Sequence, residues 1–137
     1  MKTHLFSLAF FVVILSVALA GCSDEDADLE RNEELDTARL AEMRQEILDY
    51  VGTPTCEGES SCRSMGMGSK PCGGPWGYLI YSADNVDSLE LVTLVSAYND
   101  YNEDLNLKYG WMSDCSVPTP PVLTCQDGQC VDAAKEQ

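Results

Sequence analysis

The sequence predicts an α+β fold, a small disulfide-stapled domain with two helices and a short antiparallel sheet behind a cleavable leader. Three observations predict it. Six cysteines follow residue 22 in a chain that opens like an exported protein, and an even number of exported cysteines reads as a disulfide framework. Two stretches, near residues 36–51 and 87–106, repeat apolar residues at helical spacing. An aromatic run at Trp76–Tyr81 and an Asp127-Gly128 pair carry the local marks of a strand and of a hairpin.

The leader comes first. Met1-Lys2-Thr3-His4 is a short basic start, and Leu5 to Ala20 is apolar apart from Ser7 and Ser16. A charged beginning, an apolar middle and small residues at the end make a secretory signal peptide. The run is shorter than the roughly 20 residues that a membrane-spanning helix needs. It closes on Leu19-Ala20-Gly21-Cys22, which is similar at every position to the lipobox of bacterial lipoproteins. That resemblance implies cleavage before Cys22 and two or three acyl chains on that cysteine, enough for firm membrane attachment. Ser23 in place of aspartate after the cysteine resembles the outer-membrane sorting pattern. The acidic stretch Ser23-Asp24-Glu25-Asp26-Ala27-Asp28 resembles surface-export signals of some lineages, although a run of this kind also serves as a solvated linker.

From Cys22 onward the length suits one small domain and a tether. The division expected is a signal peptide over 1–21, a lipidated acidic tether over 22–35, an amphipathic helix over 36–51, a disulfide-rich domain over 52–132 and a tail over 133–137. The whole chain holds 23 acidic against eight basic residues, a formal net charge of −15. Such a charge repels phosphate backbones and anionic headgroups, so the expected partners include no nucleic acid. It favours a cationic or envelope protein, or solubility alone. The one histidine, His4, lies in the leader. Without histidine the remaining chain has no Ser-His-Asp or Cys-His centre and lacks the commonest ligand of zinc, copper and non-haem iron sites. No metal or cofactor is expected.

Along the domain, Leu40, Met43, Ile47, Tyr50 and Val51 form one helical face, ended by Gly52 and Pro54. Cys62–Met67 reads as a short strand, and Lys70-Pro71-Cys72-Gly73-Gly74-Pro75 as a tight loop. Trp76–Tyr81 reads as a strand in the middle of a small sheet. Asp87, with Glu90 three residues on, has the spacing of a capping box. Leu91, Leu94, Tyr98, Tyr101 and Leu105 then repeat in steps of three and four, predicting a helix that ends near Asn106.

The disulfide candidates are Cys56, Cys62, Cys72, Cys115, Cys125 and Cys130. No C-x-x-C occurs among them, which argues against a redox centre or a zinc ribbon. Of the roughly 15 possible pairings, Cys72–Cys115 is favoured, because it would tie the glycine loop to the end of the second helix. Cys125 and Cys130 face each other across the Asp-Gly hairpin. They either bond directly or reach separately to Cys62 and Cys56.

The run from Cys62 to Cys130, with Gly-Ser-Lys-Pro-Cys-Gly-Gly-Pro-Trp-Gly-Tyr-Leu-Ile-Tyr-Ser, Ser-Asp-Cys and Cys-x-x-x-x-Cys, resembles a group of small bacterial lipoproteins that share a six-cysteine framework. The resemblance implies one stapled domain and brings no catalytic residues.

Other constellations carry less. Asp100-x-Asn102-x-Asp104 begins like a calcium loop, yet Leu105 stands where glycine is required and Trp111 where glutamate is required. A solvated helix face is the better reading. Ser69-Lys70 are too close in sequence for a serine–lysine pair, and no S-x-x-K is present. Asp84 and Asp87 are two of many carboxylates. Lys70 would lower a thiol pKa at Cys72 only if that cysteine were free. The proline-rich segment between Cys115 and Cys125 would be extended and pre-ordered, which lowers the entropic cost of docking. It resembles the reactive loop of Bowman–Birk-type protease inhibitors in placing Pro120-Pro121 before a cysteine, but it is longer and sits in a different framework.

The function expected is that of a non-enzymatic, lipid-anchored envelope protein with a binding or structural role, at the periplasmic face of the outer membrane or the cell surface. Inhibition of a secreted lysozyme or protease is the alternative.

Overall fold

Helical propensity and charge extend the first helix well beyond its apolar face. The computed structural model describes residues 24–135, so the leader, Cys22 and Ser23 lie outside the described residues. Helix α1 runs Asp24–Val51. The residues from 24 to 34, expected to be an irregular tether, are therefore helical. They lack an apolar stripe, but Leu29, Glu30, Arg31, Glu33, Glu34 and Leu35 are good helix formers. Asp28 and Arg31 also pair one turn apart at 2.8 Å. The chain divides into the units Met1–Leu35 and Asp36–Gln137, and every contact described below lies within the second.

That second unit is layered. After α1 come β1 (Cys62–Met67), β2 (Gly77–Ser82), α2 (Ser88–Tyr109), β3 (Leu123–Gln126) and β4 (Gln129–Asp132). The strands form two separate antiparallel hairpins, β1-β2 and β3-β4. The α+β, disulfide-rich class expected from the sequence is the one observed.

Register explains the layering. Met65 pairs with Leu79, and Arg63 with Tyr81, so these residues and Met67 share one face of the β1-β2 hairpin. Met67, Leu79 and Tyr81 pack with Ile47 and Val51 of α1 and with Leu91, Val95 and Tyr98 of α2. Leu91 is fully excluded from solvent and Ile47 nearly so, each worth about 1.5–3 kcal/mol of burial. The opposite face carries the register pairs Cys62–Ser82, Ser64–Ile80 and Gly66–Tyr78. Cys62 on that face bonds to Cys130 of β4, which places the second hairpin over one end of it.

Strand β2 is thus one of two strands, not the centre of a sheet. Its unbroken apolar sequence reflects cover on both faces, by helices on one side and by the second hairpin and the proline-rich segment on the other. Periodicity does not separate that case from a central position.

Capping follows the sequence at one end of α2 and departs from it at the other. Asp87 accepts from the backbone N–H groups of Leu89 and Glu90 at 2.8 and 3.1 Å. Glu90 does not reach back to close the box. Its carboxylate accepts from the Tyr50 hydroxyl at 2.9 Å. The helix continues to Tyr109, one turn past the expected stop, and ends on Gly110 in the left-handed conformation (φ 65°). That last turn serves Asp36, whose carboxylate accepts from Lys108 Nζ and the Tyr109 hydroxyl, each at 2.7 Å, and from the Tyr101 hydroxyl at 3.0 Å. Lys108 first, then Tyr109, hold the Asp36 carboxyl below its ordinary range.

The pairings are Cys56–Cys125, Cys62–Cys130 and Cys72–Cys115. Cys125 and Cys130 do face each other across β3-β4, and each reaches out to a different earlier cysteine. Asp127 and Gly128 both have positive φ, 51° and 77°, as a tight Asp-Gly hairpin requires.

Candidate functional site

Four of the residues considered for chemistry prove to be structural. Asp84 accepts from the Ser61 hydroxyl, while Asp87 caps α2, so the two carboxylates have separate partners. Asn102 is buried rather than solvated, and its Oδ1 accepts from the Ser69 N–H at 2.9 Å. It belongs to a ladder. Asn99 accepts from Gly68 N and donates to Gly66 O, and Asn106 donates to Ser69 O at 2.8 Å. Three asparagines on one helix face thereby hold the backbone of residues 66–69, a feature the sequence reading missed. Ser69 enters through its backbone in that ladder. Sulfur atoms of Cys56, Cys62 and Cys130 lie within 4.8 Å of one another, but all three are in disulfides and offer no thiolate to a metal.

Lys70 is the unexpected residue. It is only 6% exposed, and its Nζ donates to Ser116 O at 2.6 Å, Ser116 Oγ at 3.0 Å and Asp114 Oδ1 at 3.1 Å. A buried ammonium needs this number of acceptors. An ammonium that donates its N–H groups to these acceptors has no lone pair with which to activate the serine. It acts instead as a strut that holds residues 114–116, next to the point where Cys72–Cys115 fastens the same segment.

The Ser116 N–H and the Lys70 ammonium lower the Asp114 carboxyl from 3.8 to about 2. A depressed carboxyl contributes stability that is complete above its unfolded-state pKa and is lost as pH falls through the folded-state value. The Asp114 arm of the strut should therefore persist through pH 3.8 and weaken only near pH 2, while the Lys70 bonds to Ser116 do not depend on it. The Ser116 amide, which donates to Asp114 Oδ1 at 3.1 Å, is the reporter. Its NMR shift should titrate near the lower pH, and a midpoint near 3.8 would contradict the strut.

Beyond the strut the chain is stiff by composition. Pro118, Pro120 and Pro121 fix their own φ and push Val117, Thr119 and Pro120 to extended or polyproline backbone. The exposure pattern has the matching period of three. Pro118 and Pro121 are half-buried, while Val117, Thr119, Pro120 and Val122 are exposed. At its far end the segment is fixed by Val122 N donating to Asp132 Oδ1 at 3.0 Å, by Ala133 N donating to Val122 O at 2.9 Å and by Cys56–Cys125. Both ends are stapled, Cys115 to Cys72 as favoured from the sequence and Cys125 to Cys56, one of the alternatives left open.

Between this strap and β2 lies a groove of about 410 Å³, lined by Trp76, Tyr78, Ile80, the prolines, Thr119, Asp132 and Lys135. A smaller groove of about 220 Å³ on the other side of Trp76 and Tyr78 is bounded by Arg44, Met67 and Tyr98. Trp76 and Tyr78 form the ridge shared by both. A wider cleft of about 600 Å³ is lined by Thr55, Glu57, Asp84 and Asn85. Several of its polar groups are already used, Asp84 by Ser61 and Thr55 by Asn85. The strap and its groove combine rigidity with exposed aromatic surface, which makes them the candidate binding face. Cys22, the expected lipidation site, lies outside the described residues. Comparison with protein-family models, curated proteins and solved structures found no match.

Proposed function

We propose that the protein is a lipid-anchored lipoprotein of the bacterial envelope, attached to the outer membrane through Cys22, with a non-catalytic binding role. The observation that carries the anchoring is Leu19-Ala20-Gly21-Cys22 at the end of an apolar leader. Three disulfides in one small domain agree with an oxidising compartment outside the cytoplasm. The binding role is supported by the stiff strap and its aromatic groove. Absence of histidine after the leader, and engagement of Lys70 and Asp84 in structural bonds, favour a role without chemistry. Among the described residues no helix is long and apolar enough to cross a membrane.

Replacing Cys22 with alanine in the expressing bacterium should abolish incorporation of labelled palmitate and release the protein from the membrane fraction. Labelling that persists in the variant would overturn the lipid anchor.

A further inference from the structure

We infer that the Trp76–Tyr78 ridge and the groove beside the proline strap bind an uncharged sugar chain. The inference rests on the binding role proposed above and names its ligand class.

Trp76 is 46% exposed, and it is exposed as a fixed plate rather than as a loose side chain. Its ring rests against Gly68, where a Cβ would come within 2.6 Å of the indole Cδ1 and where φ is +84°. The buried Lys70 ammonium stands 5.0 Å from the ring centroid, a cation–π contact that fixes the plate further. Among the described residues, Leu89, Leu107 and Met112 are also exposed, but none of them lines either groove beside this ridge. Tyr78 is two residues on, at the start of β2, and lines the same two grooves as Trp76. Two neighbouring rings, one on β2 and one on the residue just before it, offer consecutive stacking surfaces.

The rim supplies the complementary chemistry. Asp132 is oriented by the backbone N–H groups of Val122 and Ala134, at 3.0 and 3.2 Å. Thr119 and Lys135 stand beside it, and Arg44 lies across the ridge. A ligand that satisfies the whole face must present flat C–H surfaces to the rings and hydroxyl or amide groups to the rim. Pyranose rings do both. A purely apolar ligand would cover Asp132 and Lys135 without pairing them, and a charged polymer gains little from a groove in which those two charges cancel. Because strap and ridge are held before binding, little ordering cost opposes a weak, polar ligand.

The test is calorimetric titration of the full oxidised chain, in detergent micelles, with triacetylchitotriose as the neutral probe. A uronic acid trimer serves as the anionic control and a lysine-rich decapeptide as a protein-like competitor. Saturable binding of the neutral trimer is expected. Trp76→Ala and Tyr78→Ala should each weaken it by at least about tenfold, the size of loss typical of a central aromatic contact, and the anionic trimer should bind at least as much more weakly. Tyr78→Ala keeps the test valid if Trp76→Ala fails to fold. Equal binding by wild type and Tyr78→Ala would overturn the site. Binding of the peptide alone would overturn the sugar while leaving a binding role, and binding of neither probe would remove both.

Discussion

Replacing Cys62 and Cys130 together by alanine is expected to lower stability by about 3 kcal/mol. The figure comes from loop closure. The bond joins residues separated by 68 positions, but Cys56–Cys125 closes nearly the same span, so cutting it frees only the ring of roughly a dozen residues that the two bonds close together. Few single changes here should cost more, because small domains have only about 5–15 kcal/mol in total. Position adds to the effect. Both cysteines are 4% exposed, and their bond fastens the second hairpin to the far face of β1-β2. Cys72–Cys115 closes a span of 43 positions, but both its cysteines are exposed and Lys70 still holds Asp114 and Ser116 after its removal. Its loss should therefore loosen the strap more than the core. Urea unfolding of the two double variants checks the contrast. The expected result is a much lower midpoint without Cys62–Cys130 and a smaller shift without Cys72–Cys115. Equal shifts would show that the buried position of Cys62–Cys130 adds nothing to its effect.

Such a contrast was only half legible in the sequence. An even set of exported cysteines announces a framework, and the Asp127-Gly128 turn announces the hairpin that presents two of them. Both signals are local. The repeat from Leu91 to Leu105 was equally local, and α2 is where that repeat placed it. Helix residues 24–34 were not legible, because the argument for helix relied on an apolar stripe and this stretch has propensity without one. Strand β2 was found but misplaced, since an apolar run reports how many faces are covered and not what covers them. As a sequence neighbour of Cys72, Lys70 reads as a modifier of that thiol. Its partners, Asp114 and Ser116, lie 44 and 46 residues away. The candidate groove depends on the same long-range closure. Only the three-residue spacing of Pro118 and Pro121 hinted that one side of the strap would be turned inward.

The asparagine ladder was the least legible feature, and it leads to the other large expected effect. Asn99→Ala combined with Asn102→Ala should cost about 3–5 kcal/mol, from three lost hydrogen bonds whose partners sit in a partly buried turn. Asn99 Oδ1 accepts from Gly68 N at 2.6 Å, Asn99 Nδ2 donates to Gly66 O at 3.3 Å, and Asn102 Oδ1 accepts from Ser69 N at 2.9 Å. Polar residues at helical spacing ordinarily mark a solvent face, which is how Asn102 was read between Asp100 and Asp104. Here they run beside the buried Tyr98 and Leu105 where α2 passes the end of β1, because Gly68 and Ser69 lie beyond the last strand pair, Met67–Gly77, and their backbone groups need partners. The loss is expected to reach the candidate site as well. Gly68 supports the Trp76 plate and Ser69 precedes the Lys70 strut, so the double variant should shift the Trp76 fluorescence before global unfolding in urea. Asn102→Asp keeps an acceptor for Ser69 N and should cost much less than Asn102→Ala. If the two single variants at residue 102 were equally unstable, acceptance from Ser69 would not be what the asparagine contributes.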